Sequence, residues 1–342
     1  MITITTNASL KEHNTFGLSP HATILAEYDN VEALKAILDN EIVKQHNHKL
    51  WNIGKGSNIL FSGNFEGVIL HGKIKGITIT EDSNNEATIK IGAGETWDDI
   101  VEWAVQHELY GAENLSLIPG EVGAAAVQNI GAYGAEFCDL VVSVEALNTE
   151  THELENIAKE DCLYGYRESI FKRQPYKNRY IITAVTIKLS KTPQFNLEYG
   201  NVKSALEGKE INLRNVREAI VEIRTKKLPD WKVLGNAGSF FKNPVISIEH
   251  YNSLKTLFPT MPSYNVKQDD KEMVKVPAGW LIENAGLKGF RHGGAQVYEK
   301  QCLVLVNTGN ATPSDIVELA TTVIDKVKEK FEIEISPEVN IL

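Results

Sequence analysis

Eight of the seventeen residues from Ile118 to Gly134 are Gly or Ala, and a polar pair, Gln128 and Asn129, interrupts the run. That composition restricts what the backbone can do. A close-packed core helix accommodates the alanines. It gains nothing from Gly131 and Gly134, because interior glycine costs about 1 kcal/mol relative to alanine. A backbone lying against a flat ring system explains the pattern better. A second segment, Gly54-Lys55-Gly56-Ser57-Asn58, follows an apolar strand from Leu50 to Ile53. It offers backbone N–H groups beside two short polar side chains, the makings of an anion-binding nest. Taken alone, such a loop is more often a plain turn. The chain has no Rossmann fingerprint, since Gly92-Ala93-Gly94 is followed by Trp97 at the third glycine position.

A third segment, Gly235-Asn236-Ala237-Gly238-Ser239-Phe240-Phe241-Lys242-Asn243-Pro244, presents one hydroxyl among small residues and ahead of an aromatic pair. Gly235, Ala237 and Gly238 are expected to leave the backbone open to a ligand. A serine in such a setting is usually a turn or cap residue. The net charge is −10, which argues against a nucleic-acid partner and gives weight to single cations in motifs. Hydrophobic content of 42% and charged content of 23% are those of a globular chain. Cys138, Cys162 and Cys302 are scattered, without metal-site spacing, and read as buried free thiols. No metal is expected. Met1-Ile2-Thr3-Ile4 has neither a basic start nor an apolar core, so no signal peptide is expected, and no apolar run is long enough to span a bilayer.

The coarse pattern is α+β. Strands are expected at Thr23 to Tyr28, Leu50 to Ile53, Val68 to Leu70, Ile77 to Thr80, Ala87 to Ile91, Leu140 to Leu147, Tyr180 to Leu189, Leu303 to Asn307 and Phe331 to Ile335. Asp29 or Asn30 caps a helix carrying Val31, Leu34, Ile37 and Leu38. Thr96-Trp97-Asp98-Asp99 reads as a capping box. Further helices are expected near Leu213 to Lys226, Ile248 to Leu257 and Trp280 to Ala285. The last, capped by Thr312 with Pro313 at its first position, buries Ile316, Leu319, Ala320, Val323, Ile324 and Val327. Ser239 lies in an expected loop, Ser263 to Lys275 reads as a surface loop, and Lys191 to Pro193 as a domain boundary.

These three segments, with Tyr164-Gly165-Tyr166-Arg167, resemble the UDP-N-acetylenolpyruvoylglucosamine reductases (the MurB family), flavoenzymes of bacterial cell-wall synthesis. The match runs from about Asn14 to about Val339. The resemblance implies an FAD-binding domain of the vanillyl-alcohol-oxidase/PCMH type over 15–192, with the pyrophosphate on loops, followed by a smaller α+β substrate-binding domain over 196–342. It implies non-covalent FAD, held by Gly54, Gly56, Ser57, Asn58, Pro119, Gly120, Gly123, Gln128, Asn129, Gly131, Tyr133 and Gly134. NADPH is the implied co-substrate and a UDP-sugar the implied substrate, in a cytoplasmic monomer.

The family's substrate is an enolpyruvyl ether conjugated to a carboxylate, so reduction needs a hydride donor, a cationic clamp and a placed acid. Arg167 matches the clamp; alone, it would read as a surface ion pair. Ser239 matches the acid. Glu338, in Pro337-Glu338-Val339, matches a glutamate near the reacting carbon, either protonated or bonded to Arg167; by position it is an ordinary near-terminal glutamate. Tyr199 matches the tyrosine that closes over the UDP diphosphate in one family subtype. Lys227, Asn243 and Gln301 match further substrate contacts, with Lys226 the alternative to Lys227; a basic pair at a helix C-terminus also has a plain role against the helix dipole. Two other readings stay open. A flavin oxidase of the same superfamily would consume oxygen without the enolpyruvyl sugar. A non-catalytic binding module would hold FAD without substrate-linked NADPH oxidation.

Overall fold

Hydrophobic periodicity translates directly into the first sheet. In the computed structural model, which describes residues 1–47, 49–268 and 271–342, Ile2–Ser9, His21–Tyr28, Phe65–Gly72 and Leu50–Ile53 form a four-stranded sheet in that order. The first pair is antiparallel and the others are parallel. Asn30 caps the helix Val31–Asp39, its side chain accepting from Ala33 N at 2.8 Å. Leu34, Ile37 and Leu38 of that helix are buried with Ile24, Val68 and Leu70.

A second, antiparallel sheet takes the order Leu154–Ala158, Val141–Asn148, Tyr180–Ser190, Glu86–Gly92, Ile77–Asp82. Its apolar face, with Ile89, Ile91, Val144, Val185 and Ile187, is buried with the helices Trp97–Gln106 and Val122–Gln128. The expected capping box at Thr96 does not form, because no side chain caps that helix. Thr96 Oγ1 instead accepts from Lys55 Nζ at 2.7 Å, and Gly120 O takes the Trp97 N–H at 3.1 Å.

The chain divides into two compact units. One comprises Met1–Ser9, His21–Lys55 and Asn64–Lys226; the other comprises Leu10–Pro20, Gly56–Gly63 and Lys227–Leu342. Lys191 to Pro193 therefore ends a strand without ending a unit. Beyond it, Val202, Leu206, Val216, Ala219 and Ile220 pack with Phe195 and Tyr133 of the first unit. A proline break reports the end of an element, whereas a unit boundary is set by where apolar faces are covered.

In the second unit Gly235–Ser239, Val304–Asn307, Ala295–Val297 and Arg291–His292 form an antiparallel sheet. The helix Pro313–Phe331 has the capping box of Thr312 and Asp315. It buries Ile316, Leu319, Ala320, Val323 and Val327 as expected, with Ile324 half-buried. Three expectations are corrected. The Ser239 segment is a strand with a bulge between Asn236 and Ser239. The polar 263–275 stretch holds two paired strands, Tyr264–Gln268 and Lys271–Lys275, because Val274 is buried and Val245–Ser247 supplies a third strand; Asp269 and Asp270 lie outside the described residues. Phe331 to Ile335 is no strand. Ile333 and Ile335 alternate inward but find no partner strand, and the last pairing is Asn340–Ile341, parallel with Ile59–Leu60. No described helix is long and apolar enough to cross a membrane. Cys162 and Cys302 are buried free thiols, each pushed up to about 11 by burial, and Cys138 is half-buried.

Candidate active site

Ser239 ends its strand opposite Val304. The next residue is fixed twice through its backbone: Phe240 N donates to Leu303 O at 2.7 Å, and Phe240 O accepts from Glu338 N at 2.7 Å. Phe240 and Phe241 are buried and anchor the segment, with Phe16 edge-on to Phe240. Ser239 and Glu338 thus lie on adjacent backbone segments, both half-buried. The small residues divide by role. Gly238 has φ +68 and no atom within 4 Å of an added Cβ, so it leaves open space beside Ser239. Gly235 does not: a Cβ there would collide with the Phe16 carbonyl. Its smallness serves backbone packing, which corrects the expectation that it faces a ligand.

The same distinction applies to the 54–58 loop. Gly56 has φ +67, and a Cβ would strike the His13 carbonyl. Thr15 N donates to Gly56 O at 3.3 Å. Asn58 holds the C-terminal segment, its Nδ2 donating to Glu338 O at 3.4 Å and its carbonyl accepting from Asn340 N at 3.1 Å. Ser57 is half-buried beside it. In the first unit a Cβ on Gly54 would lie 2.8 Å from Glu121 Oε2.

The Gly/Ala strip is mixed in structure. Val122–Gln128 is a short helix, and Gly123 allows it to approach Ala93, 3.0 Å from an added Cβ; helix packing explains that part of the composition. The helix ends at Asn129, buried and left-handed. Asn129 Nδ2 donates to Glu136 Oε2 at 2.9 Å and to Gly165 O at 2.8 Å. Gln128 Oε1 accepts from Lys172 Nζ at 3.0 Å. Gly120 has φ +126 and Gly134 φ +79, conformations closed to most other residues. Pro119 fixes φ just before Gly120.

Arg167 sits at the tip of a tight turn closed by paired hydrogen bonds between Gly165 and Glu168, both at 3.0 Å. Its φ is +55, a left-handed geometry that costs a side-chain-bearing residue roughly 1–2 kcal/mol. The guanidinium is held over the strip, Nη2 donating to Gly131 O at 2.6 Å and Nη1 to Asn129 O at 3.4 Å. A Cβ on Gly131 would lie 2.9 Å from Nη1.

Tyr133 and Tyr199-Gly200 meet in the first unit, since a Cβ on Gly200 would lie 2.9 Å from the Tyr133 ring. Tyr199 is 40% exposed. Burial raises the Tyr133 phenol above its ordinary range, with Arg224 offsetting part of the rise. Arg224 was missed in the sequence. Its Nε is buried without a hydrogen-bond partner, and burial pulls its pKa below the usual value. The available signal was spacing: Arg217 and Arg224 fall on the helical stripe of Leu213 and Ile220.

Two of the remaining substrate candidates have structural partners. Asn243 Oδ1 accepts from Ala278 N at 2.9 Å, at the start of the helix Ala278–Asn284. Gln301 Oε1 accepts from Leu303 N at 3.4 Å. Lys226 pairs with Glu222 at 2.5 Å, whereas Lys227 is exposed.

Residues 22–155 match the FAD binding domain family, and residues 229–342 match the family described as UDP-N-acetylenolpyruvoylglucosamine reductase, C-terminal domain. The first unit fits FAD by its chemistry. It holds a Gly/Ala strip with positive φ at Gly120 and Gly134, cations at Lys55, Arg167 and Lys172, and the orphaned Nε of Arg224 beside Tyr133. Fold and site together define a flavin-dependent oxidoreductase. The chain is 45% identical to a UDP-N-acetylenolpyruvoylglucosamine reductase of Bacteroides fragilis over 98% of both chains. It is 45% identical to one of Aliivibrio fischeri over 97% of this chain and 93% of the other. It therefore belongs to the UDP-N-acetylenolpyruvoylglucosamine reductase family. The crystal structure of the Thermus caldophilus reductase shares the fold, with a TM-score of 0.67 at 22% identity, covering 100% of this chain and 98% of that one.

Proposed function

We infer that this chain carries out the NADPH-dependent reduction of UDP-N-acetylglucosamine enolpyruvate to UDP-N-acetylmuramate, a step of peptidoglycan synthesis. The observation that carries this reading is the 45% identity to reductases of that name over nearly the full length of both chains. FAD, when bound, relays two electrons from the nicotinamide to the enolpyruvyl double bond.

The chain supplies binding and proton chemistry. Arg167 already donates to two carbonyl oxygens through its planar fork, the geometry that suits a carboxylate. In this reading it clamps the substrate carboxylate as negative charge grows there. Ser239 Oγ gives its proton to the enolate-like carbon, and the open space at Gly238 lets that carbon approach. Glu338, held by its backbone to Phe240, stands beside the same segment. Tyr199, exposed on its loop, closes over the diphosphate, with Lys227, Asn243 and Gln301 as further contacts.

The test is anaerobic. The purified protein is expected to be yellow, to bleach with NADPH, and to regain colour on adding the enolpyruvyl sugar. A reduced protein that only oxygen reoxidises would refute the reading.

A further inference from the structure

The helix Trp97–Gln106 lacks the side-chain cap that its sequence offers. Local rules that fail without packing need mark places where something else is held. Here the first turn grips the segment leading into the Gly/Ala strip at three points. Trp97 Nε1 donates to Leu115 O at 3.0 Å, Trp97 N donates to Gly120 O at 3.1 Å, and Asp98 Oδ1 accepts from Leu117 N at 2.6 Å. Leu117 has φ +57 and an apolar side chain 38% exposed. Neither its backbone nor its side chain is at ease. Asp98 is itself oriented by a bidentate pair, Arg217 Nη1 to Oδ1 at 2.7 Å and Nη2 to Oδ2 at 3.2 Å, with side chains only 12% and 24% exposed. Glu102 stands 3.7 Å from Nη2.

We propose that Asp98 is a positioning residue for the flavin. Its carboxylate, aimed by Arg217, holds Leu117 in the left-handed conformation that delivers Pro119 and Gly120 to the cofactor. The inference rests on the reading that the Pro119–Gly134 strip carries FAD. It goes beyond that reading by giving a role to three residues outside the implied flavin and substrate contacts, Asp98, Leu117 and Arg217.

The test measures FAD affinity by flavin fluorescence on apo-protein for D98A, L117G, D98A/L117G and G120A. Loss of a hydrogen bond to a charged acceptor predicts a Kd roughly 10- to 100-fold higher for D98A. Glycine adopts the left-handed conformation without strain, so L117G should bind FAD normally and the double variant should regain most of the affinity. Hydrogen exchange at the Leu117 amide should quicken in apo D98A. If D98A does not fold, D98N, which keeps an acceptor but loses the charge pair, should show a smaller loss relieved in the same way by L117G. Unchanged affinity in D98A while G120A binds weakly would overturn the role of Asp98. An equal defect in D98A and D98A/L117G would overturn the coupling through Leu117. Full affinity in G120A would overturn the strip as the flavin site, and this proposal with it.

Discussion

Replacing Gly235 and Gly238 in turn by alanine separates packing from ligand access in a segment where both residues look alike in sequence. At Gly235 the new Cβ would lie 2.7 Å from the Phe16 carbonyl carbon. The carbonyl oxygen is closer still and ordinary contact begins at 3.4 Å, so the two backbones must part by more than about 0.7 Å, with an overpacking cost of about 1–3 kcal/mol. The neighbouring bond from Asn236 N to Thr15 O, 2.9 Å long, would stretch past useful geometry, adding about 1 kcal/mol. The total is about 2–4 kcal/mol. At Gly238 the space is open, and only the left-handed φ of +68 matters, a penalty of roughly 1–2 kcal/mol. Urea unfolding followed by far-UV circular dichroism should give a clearly lower midpoint for G235A than for G238A. The folded fraction of G235A should turn over normally, whereas G238A should impair substrate-driven flavin reoxidation. The reasoning is refuted if G235A keeps its midpoint and loses substrate reduction, since Gly235 would then face the ligand.

Ser239→Ala should bleach normally with NADPH and then stall on substrate by ~10²–10⁴-fold; equal loss in both half-reactions, measured by anaerobic stopped flow, would make Ser239 a structural residue. Arg167→Lys keeps the charge but loses the fork over Gly131 and Asn129, so flavin reoxidation by substrate should fall steeply, and near wild-type turnover would exclude bidentate clamping. Tyr199→Phe should weaken substrate use by about 1.5–3 kcal/mol while leaving NADPH-driven reduction intact; unchanged steady-state kinetics would leave the hydroxyl without a role. Burial raises the Glu113 carboxyl above its ordinary value of 4.5, so the folded chain holds this proton more tightly than the unfolded one. Stability should therefore be greatest below about 4.5 as far as this group is concerned and decline as pH rises through the elevated folded value. Glu113→Gln should flatten that part of the stability curve, and an identical pH dependence would remove Glu113 as its source.

Much of the local structure was legible because its constraints are local. Glycine at Gly120 and Gly134, the capping box at Thr312 and the period of Pro313–Phe331 each depend on a few neighbouring residues, and local backbone sterics and helix geometry suffice to read them. The family resemblance, and no local rule, singled out Arg167 and Ser239 as candidates. What the sequence could not say is which small residues face protein. Gly235 and Gly56 accommodate backbone from Phe16 and His13, positions distant in the chain, and nothing local distinguishes them from Gly238.

Tertiary structure also decided the fate of polar side chains. Thr96 and Asp99 compose a capping box on paper, yet Lys55 claims Thr96, and Leu117 and Arg217 claim the neighbouring Asp98. Arg224 reads as one more surface cation until burial leaves its Nε without a partner. The sequence alone determined the long periodic elements, the α+β class and the chemistry available to the site. Only the fold decided where each hydrogen bond goes and where each unit ends. Donors, acceptors and apolar faces take whichever partner three-dimensional proximity supplies, and that proximity is a property of the whole chain.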